Sequence, residues 1–178
     1  MGNPLYVSNE NDSVVTVIDV PTRKMIAQIP TGVEPEGMAV SPDGKTIVNT
    51  SETTNMAHFI DATTKTMVTS VLVDARPRVA MFKHDGSEVW ISSELGGTVG
   101  VIDPVQHAVA HRISFDMRGL RAETIQPVGA AITLYRVAWS QRRWQDHAVF
   151  ADHPALRHAT RFDRCYKQRS QSVPLNRC

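Results

Sequence analysis

The sequence repeats itself every 42 residues. "YVSNE" ends at Glu10, "VNTSE" at Glu52 and "WISSE" at Glu94, while "VTVID", "AHFID" and "VGVID" end at Asp19, Asp61 and Asp103. "SPDG" at 41–44 recurs as "KHDG" at 83–86, and "EPEG" at 34–37 as "RPRV" at 76–79. Four landmarks keep one period without a slip. The chain up to residue 129 is therefore one small unit used repeatedly, and each unit must bury its apolar faces against its neighbours.

Each unit reads as four short strands. "EGMAVS" comes first, then a Pro-Asp-Gly turn whose glycine permits positive φ. "KTIVNTS" and "AHFIDA" follow, and a Thr/Lys-rich turn leads to "KTMVTSVLV". The strands are β-branched, with Gly, Pro, Asn and Asp between them, and no segment holds a 3.6-residue apolar period over three turns. Four antiparallel strands in about 40–45 residues is the signature of a β-propeller blade. The expected fold is all-β: an incomplete propeller of about two and three-quarter four-stranded blades over 5–115, plus an irregular C-terminal tail. Val17, Ile18, Phe59, Ile60, Val101 and Ile102 are expected in the packed interiors. The first blade opens at its second strand, "LYVSN", without an inner strand, and no blade follows the third. The isolated chain is accordingly expected to fold with low cooperativity or to aggregate.

Composition divides the chain in two. The net charge of +1 combines ten Lys+Arg against fifteen Asp+Glu in 1–129 with nine against three in 130–178. All ten glycines fall in the first part and both cysteines, Cys165 and Cys178, in the second. Two cysteines thirteen apart without a second pair do not make an ordinary zinc site. After Gly129 a new inner strand and an Asp-Gly turn are due within about eight residues. The glycine-free, Arg/Ala/His/Gln-rich text that stands there is what a GC-rich gene gives when read out of frame. We therefore expect 1–129 to be a partial propeller and 130–178 an irregular, poorly ordered basic tail. On that expectation the chain is a fragment of a longer propeller; that the product has no function of its own is one alternative reading. Trp139 and Trp144 lie among Arg142 and Arg143, as in a nucleic-acid patch, but no regular pattern presents them. Neither a nucleic-acid nor a membrane partner is expected. No apolar run is long enough to span a bilayer. "MGNPLYVSNE" has no signal-peptide pattern, and Tyr6 breaks the myristoylation pattern.

"YVSNENDSVVTVID", "PTGVEPEGMAVSPDGKTIV" and "SSELGGTVGVID" resemble the YVTN-type β-propeller repeat. More narrowly, "VEPEGMAVSPDGKTIVNTSETTNMAHFID", "VDARPR" and "IQPVG" are similar to propeller proteins associated with pyrroloquinoline-quinone-dependent alcohol catabolism in bacteria. The resemblance covers 5–129. It implies a periplasmic, non-enzymatic binding or scaffold protein, accessory to quinoprotein alcohol oxidation, with a quinoprotein dehydrogenase or cytochrome system as partner.

Two constellations could carry chemistry. Met56 and His58 are two apart on one strand, so their side chains share a face. Their counterparts in the other repeats are Val14 and Thr98, and Thr16 and Gly100, which are not ligands. Packing between blades is the favoured reading, and no metal or cofactor site is expected. The second constellation follows from topology. Alternating strand directions bring the fourth-to-first connections and second-to-third hairpins to one rim, which carries Glu34 and Glu36 in one unit and Arg76 and Arg78 at matching places in the next. Glu10, Glu52 and Glu94 end the second strands on the same rim. Exposed ion pairing of Arg76 and Arg78 with Glu34 and Glu36, worth about 0–1 kcal/mol, is the favoured reading. The functional one is a polar channel mouth that binds an anion or docks a protein. No G-x-S-x-G, H-E-x-x-H or phosphate-loop motif is present, so no catalytic residue is assigned. A lactonase- or lyase-like enzyme using the rim carboxylates is the alternative.

Overall fold

The computed structural model describes residues 4–115, 118 and 124–132. The expectation of a disordered basic tail falls outside them, except for residues 130–132. Eleven strands form three antiparallel sheets. Blade 1 is β1 (Pro4–Asn9), β2 (Val14–Asp19) and β3 (Lys24–Pro30); blade 2 is β4 (Pro35–Val40), β5 (Thr46–Ser51), β6 (Met56–Asp61) and β7 (Thr66–Leu72); blade 3 is β8 (Pro77–Phe82), β9 (Val89–Ser93), β10 (Thr98–Asp103) and β11 (Ala108–Ser114). This is an incomplete propeller of three plus four plus four strands. No described helix is long and apolar enough to cross a membrane.

The backbone repeats as faithfully as the sequence. Every described residue with positive φ belongs to a set spaced by 42: Ser13, Asn55 and Gly97; Arg23, Lys65 and His107; Glu34 and Arg76; Gly44 and Gly86. Bulges recur at Val17/Ile18, Phe59/Ile60 and Val101/Ile102, adding local twist at the same point of each blade. The "ID" aspartates act in the turn after that bulge. Asp61 accepts the N–H groups of Thr63 (2.7 Å) and Thr64 (2.8 Å), and Asp103 those of Val105 (2.8 Å) and Gln106 (3.0 Å). Backbone donors favour the charged carboxylate and lower the pKa of both. In the "DG" turns Asp43 accepts from Ser41 and Lys45 N–H, and Asp85 from the Ser87 hydroxyl and N–H. Asp43 is lowered too, and the Ser87 hydroxyl and N–H bring Asp85 down to about 2. The aspartate in each motif is a turn fastener.

Packing between blades uses one pattern twice. Tyr6, Val15, Val17 and Ile29 on the forward face of blade 1 meet Met38, Ile47, Ile60 and Met67 on the backward face of blade 2. Their counterparts 42 residues on, Val48, Ala57, Phe59 and Val71, meet Ala80, Val89, Ile102 and Val109. The Phe59 ring also stands edge-on to His107, with centroids 4.9 Å apart. Five of the six expected core positions, Val17, Phe59, Ile60, Val101 and Ile102, are buried. Ile18 is only half-buried. It occupies the Ile60 position, which faces backward, and among the described residues no blade packs on the backward face of blade 1.

Candidate charged rim

The four-residue connections β3–β4 and β7–β8 meet the second-to-third hairpins of their own blades. Glu52 N–H donates to Glu34 C=O (2.9 Å), and 42 residues on Glu94 N–H donates to Arg76 C=O (2.8 Å). Thr31 N–H to Ser13 C=O, Val73 N–H to Asn55 C=O and Phe115 N–H to Gly97 C=O tie the hairpin of each blade to the end of its last strand. Those fixed backbones set the side chains that project from the rim.

Arg76 and Arg78 lie two apart in blade 3. Arg76 Nε reaches Glu52 at 2.7 Å and Glu94 at 3.4 Å. Arg78 pairs with Glu52, with Glu36 at 3.2 Å and with Glu94 at 3.5 Å. Glu52 is the hub. It joins both arginines across the blade 2–blade 3 boundary and is only 6% exposed. The pairing differs from the sequence expectation: Arg78 does meet Glu36, but Arg76 turns to Glu52 and Glu94. Glu34 instead accepts the Thr53 hydroxyl, because Glu34 and Arg76 are counterparts in successive connections and do not face each other. Glu10, the Glu52 counterpart in blade 1, is exposed. Two guanidinium groups thus face three carboxylates, and the rim retains negative charge.

His58 is a satisfied polar residue. Burial lowers its pKa, keeping the ring neutral near pH 7. Gly32 N–H can only donate, so its 2.9 Å contact makes Nε2 the acceptor. The ring proton then sits on Nδ1, 2.7 Å from Ser70 Oγ, and Ser51 Oγ lies 2.9 Å from Nε2. In the next repeat Gly100 stands where His58 does. Asp74, the Gly32 counterpart, accepts Thr98 Oγ1 and Arg112 Nε, both at 2.6 Å. The same slot is filled by an imidazole network in one blade and an ion pair in the other. No group of three or more His, Cys, Asp or Glu side chains suited to a metal occurs among the described residues.

The architecture defines a β-propeller repeat protein. Two solved structures of β-propeller proteins are similar to it: "Kuenenia stuttgartiensis Hydrazine Synthase", with TM-score 0.60 and 22% identity over 61% of this chain, and "Dihydro-heme d1 dehydrogenase NirN in complex with DHE", with TM-score 0.57 and 23% identity over 62%. The matches span 32% and 24% of those chains, so the likeness concerns the fold. No protein-family model matches the sequence, and no curated protein does.

Sequence reasoning placed all seven rim residues on one edge but missed the burial of Glu52. A signal was available: one glutamate ends the second strand in every repeat, and only the repeat after Glu52 brings two arginines, 24 and 26 residues further on.

Proposed function

We propose that this chain is a non-enzymatic propeller scaffold whose charged rim docks a protein partner through a basic surface. The observation that carries this reading is the Glu52 hub. Burying an ion pair yields little stability compared with apolar packing, so the network's use lies in holding a charged rim in one geometry. The carboxylate excess argues against capture of a small anion, since both guanidinium groups are already engaged. Glu10 and Glu34 add acidic charge beyond the arginine network, and such charge steers a basic surface toward the rim. The resemblance to propellers of quinone-dependent alcohol catabolism supports a periplasmic setting and a quinoprotein dehydrogenase or cytochrome as the partner.

The test is affinity capture from the periplasm of cells grown on an alcohol, using the parent chain and the Glu10→Gln/Glu34→Gln double variant. These two side chains lie outside the ion network, so the fold should persist. A captured protein with a basic face that is lost at least tenfold by the variant, and lost in the parent at high salt, supports the reading. Equal capture by both proteins refutes it. The alternative, rim-carboxylate catalysis of the lactonase kind, predicts lactone hydrolysis that Glu52→Gln abolishes without loss of sheet content.

A further inference from the structure

The β3–β4 connection, residues 31–34, is tied by its backbone at three points. Thr31 N–H donates to Ser13 C=O, and Glu34 C=O accepts Glu52 N–H, both at 2.9 Å. Between them Gly32 N–H donates to His58 Nε2 at 2.9 Å, so the middle tie ends on a titratable side chain. The fit is close. A Cβ on Gly32 would overlap Thr54 Oγ1 and stand 2.9 Å from His58 Nε2 and 3.0 Å from Ser51 Cβ, so the bare backbone lies flush against the ring. Two residues on, Glu34 holds a left-handed backbone with φ 58°, which a glutamate keeps only where its surroundings impose it.

The middle tie works in one protonation state. Neutral His58 carries its proton on Nδ1, 2.7 Å from Ser70 Oγ, and Nε2 accepts. Protonation puts a second N–H on Nε2. Ser51 Oγ, 2.9 Å away, can turn its hydroxyl and accept that proton, but the Gly32 N–H then points at another donor. A buried donor without an acceptor is costly, and the short connection escapes that cost by lifting from the ring. The groups bonded to the ring are neutral: Gly32 N–H from the connection, Ser51 Oγ from β5 and Ser70 Oγ from β7. Of the charged residues on the elements around it, Glu34 is taken up by Thr53 and Glu52 by Arg76 and Arg78, and Glu10 and Asp12 on the blade 1 hairpin make no bond to it. Burial, with no charge among the causes, lowers the His58 pKa and keeps the ring neutral until the medium is acidic.

We propose that His58 is a proton-operated latch on the β3–β4 connection: the neutral ring holds Gly32, and the protonated ring releases it, loosening the part of the rim that carries Glu34 and leads to Glu36. The latch belongs to the fold whatever the rim binds. Blade 3 supplies a control. Gly100 stands at the His58 position, and Asp74, at the Gly32 position, is held through its side chain by Thr98 and Arg112. The β7–β8 connection keeps the outer backbone ties, Val73 N–H to Asn55 C=O and Glu94 N–H to Arg76 C=O, without an imidazole.

The test is amide exchange by NMR in the full chain from about pH 7.5 down to about pH 4.5, with the His58 ring titration followed in the same samples. Protection factors are compared, since they remove the intrinsic pH dependence of exchange. The ring should titrate below histidine's ordinary value of about 6.5. Gly32 should lose protection roughly tenfold or more at the same midpoint, the equivalent of one unmade buried hydrogen bond. Glu94 N–H, bonded to Arg76 C=O at 2.8 Å, should keep its protection through that midpoint. In His58→Gln, whose side-chain oxygen accepts the Gly32 N–H at any pH, Gly32 protection should not respond. Gly32 protection that stays flat while the ring titrates, that falls together with Glu94, or that falls equally in His58→Gln would each overturn the proposal. If His58→Gln fails to form sheet, the contrast between Gly32 and Glu94 in the parent decides.

Discussion

Glu52→Gln isolates the rim hub. It keeps the side-chain volume and removes the charge that both arginines share. Breaking a fully buried pair typically costs 3–5 kcal/mol, because an uncompensated charge is left behind. Here the cost is smaller. Arg76 and Arg78 are partly exposed and can hydrate, and Glu94 and Glu36 remain 3.2–3.5 Å away as substitute partners. The glutamine can still accept one hydrogen bond. About 1–2 kcal/mol should be lost, equivalent to a fall in Tm of roughly 5–10 °C for a domain of this size. Urea unfolding at fixed protein concentration measures it, with Glu10→Gln as the exposed control, expected within about 0.5 kcal/mol of the parent. If Glu52→Gln matches that control, Glu52 is not a buried hub and the cross-blade network is incidental.

Phe59→Ala removes the largest fully buried side chain between blades 2 and 3 and should cost about 3–5 kcal/mol by the same measurement. His58 has a folded pKa below its ordinary value, so below about pH 6.5 the unfolded chain binds the proton that the folded ring refuses. Stability should fall as pH drops from 6.5 toward the lowered value, and His58→Gln should flatten that slope; an unchanged slope would contradict the neutral-ring assignment. Reversing Arg76 and Arg78 together with Glu34 and Glu36 should destabilise the fold, because Glu52 and Glu94 would then face new carboxylates; unchanged stability would show exposed, uncoupled pairs.

What was legible in the sequence was whatever the 42-residue period carries. Strand number, the Asp-Gly turns at 43–44 and 85–86, and the inward positions of Phe59 and Ile102 follow from local pattern, and local pattern repeats; the capping of the next turn by Asp61 and Asp103, which end strands, was visible only in the structure. What was not legible depends on which neighbour a face meets. Ile18 and Ile60 hold the same place in their repeats, yet only Ile60 has a blade behind it. Glu10 and Glu52 likewise end equivalent strands, yet only Glu52 is followed by a unit bearing arginines at the connection. Left-handed backbone at Glu34 and Arg76 also escaped notice, since neither residue type advertises positive φ.

Native-state amide hydrogen exchange tests the central claim most directly, because protection reports backbone hydrogen bonding strand by strand. If the chain is built from 42-residue blades, slow exchange should cover β2, β6 and β10, at 14–19, 56–61 and 98–103, together with β5 and β9, which are likewise interior strands of their sheets. Each of these strands is hydrogen-bonded on both sides, and fast exchange should mark the turns between them at the same period. Protection confined to one of the three sheets, or spread without that period, would contradict the account.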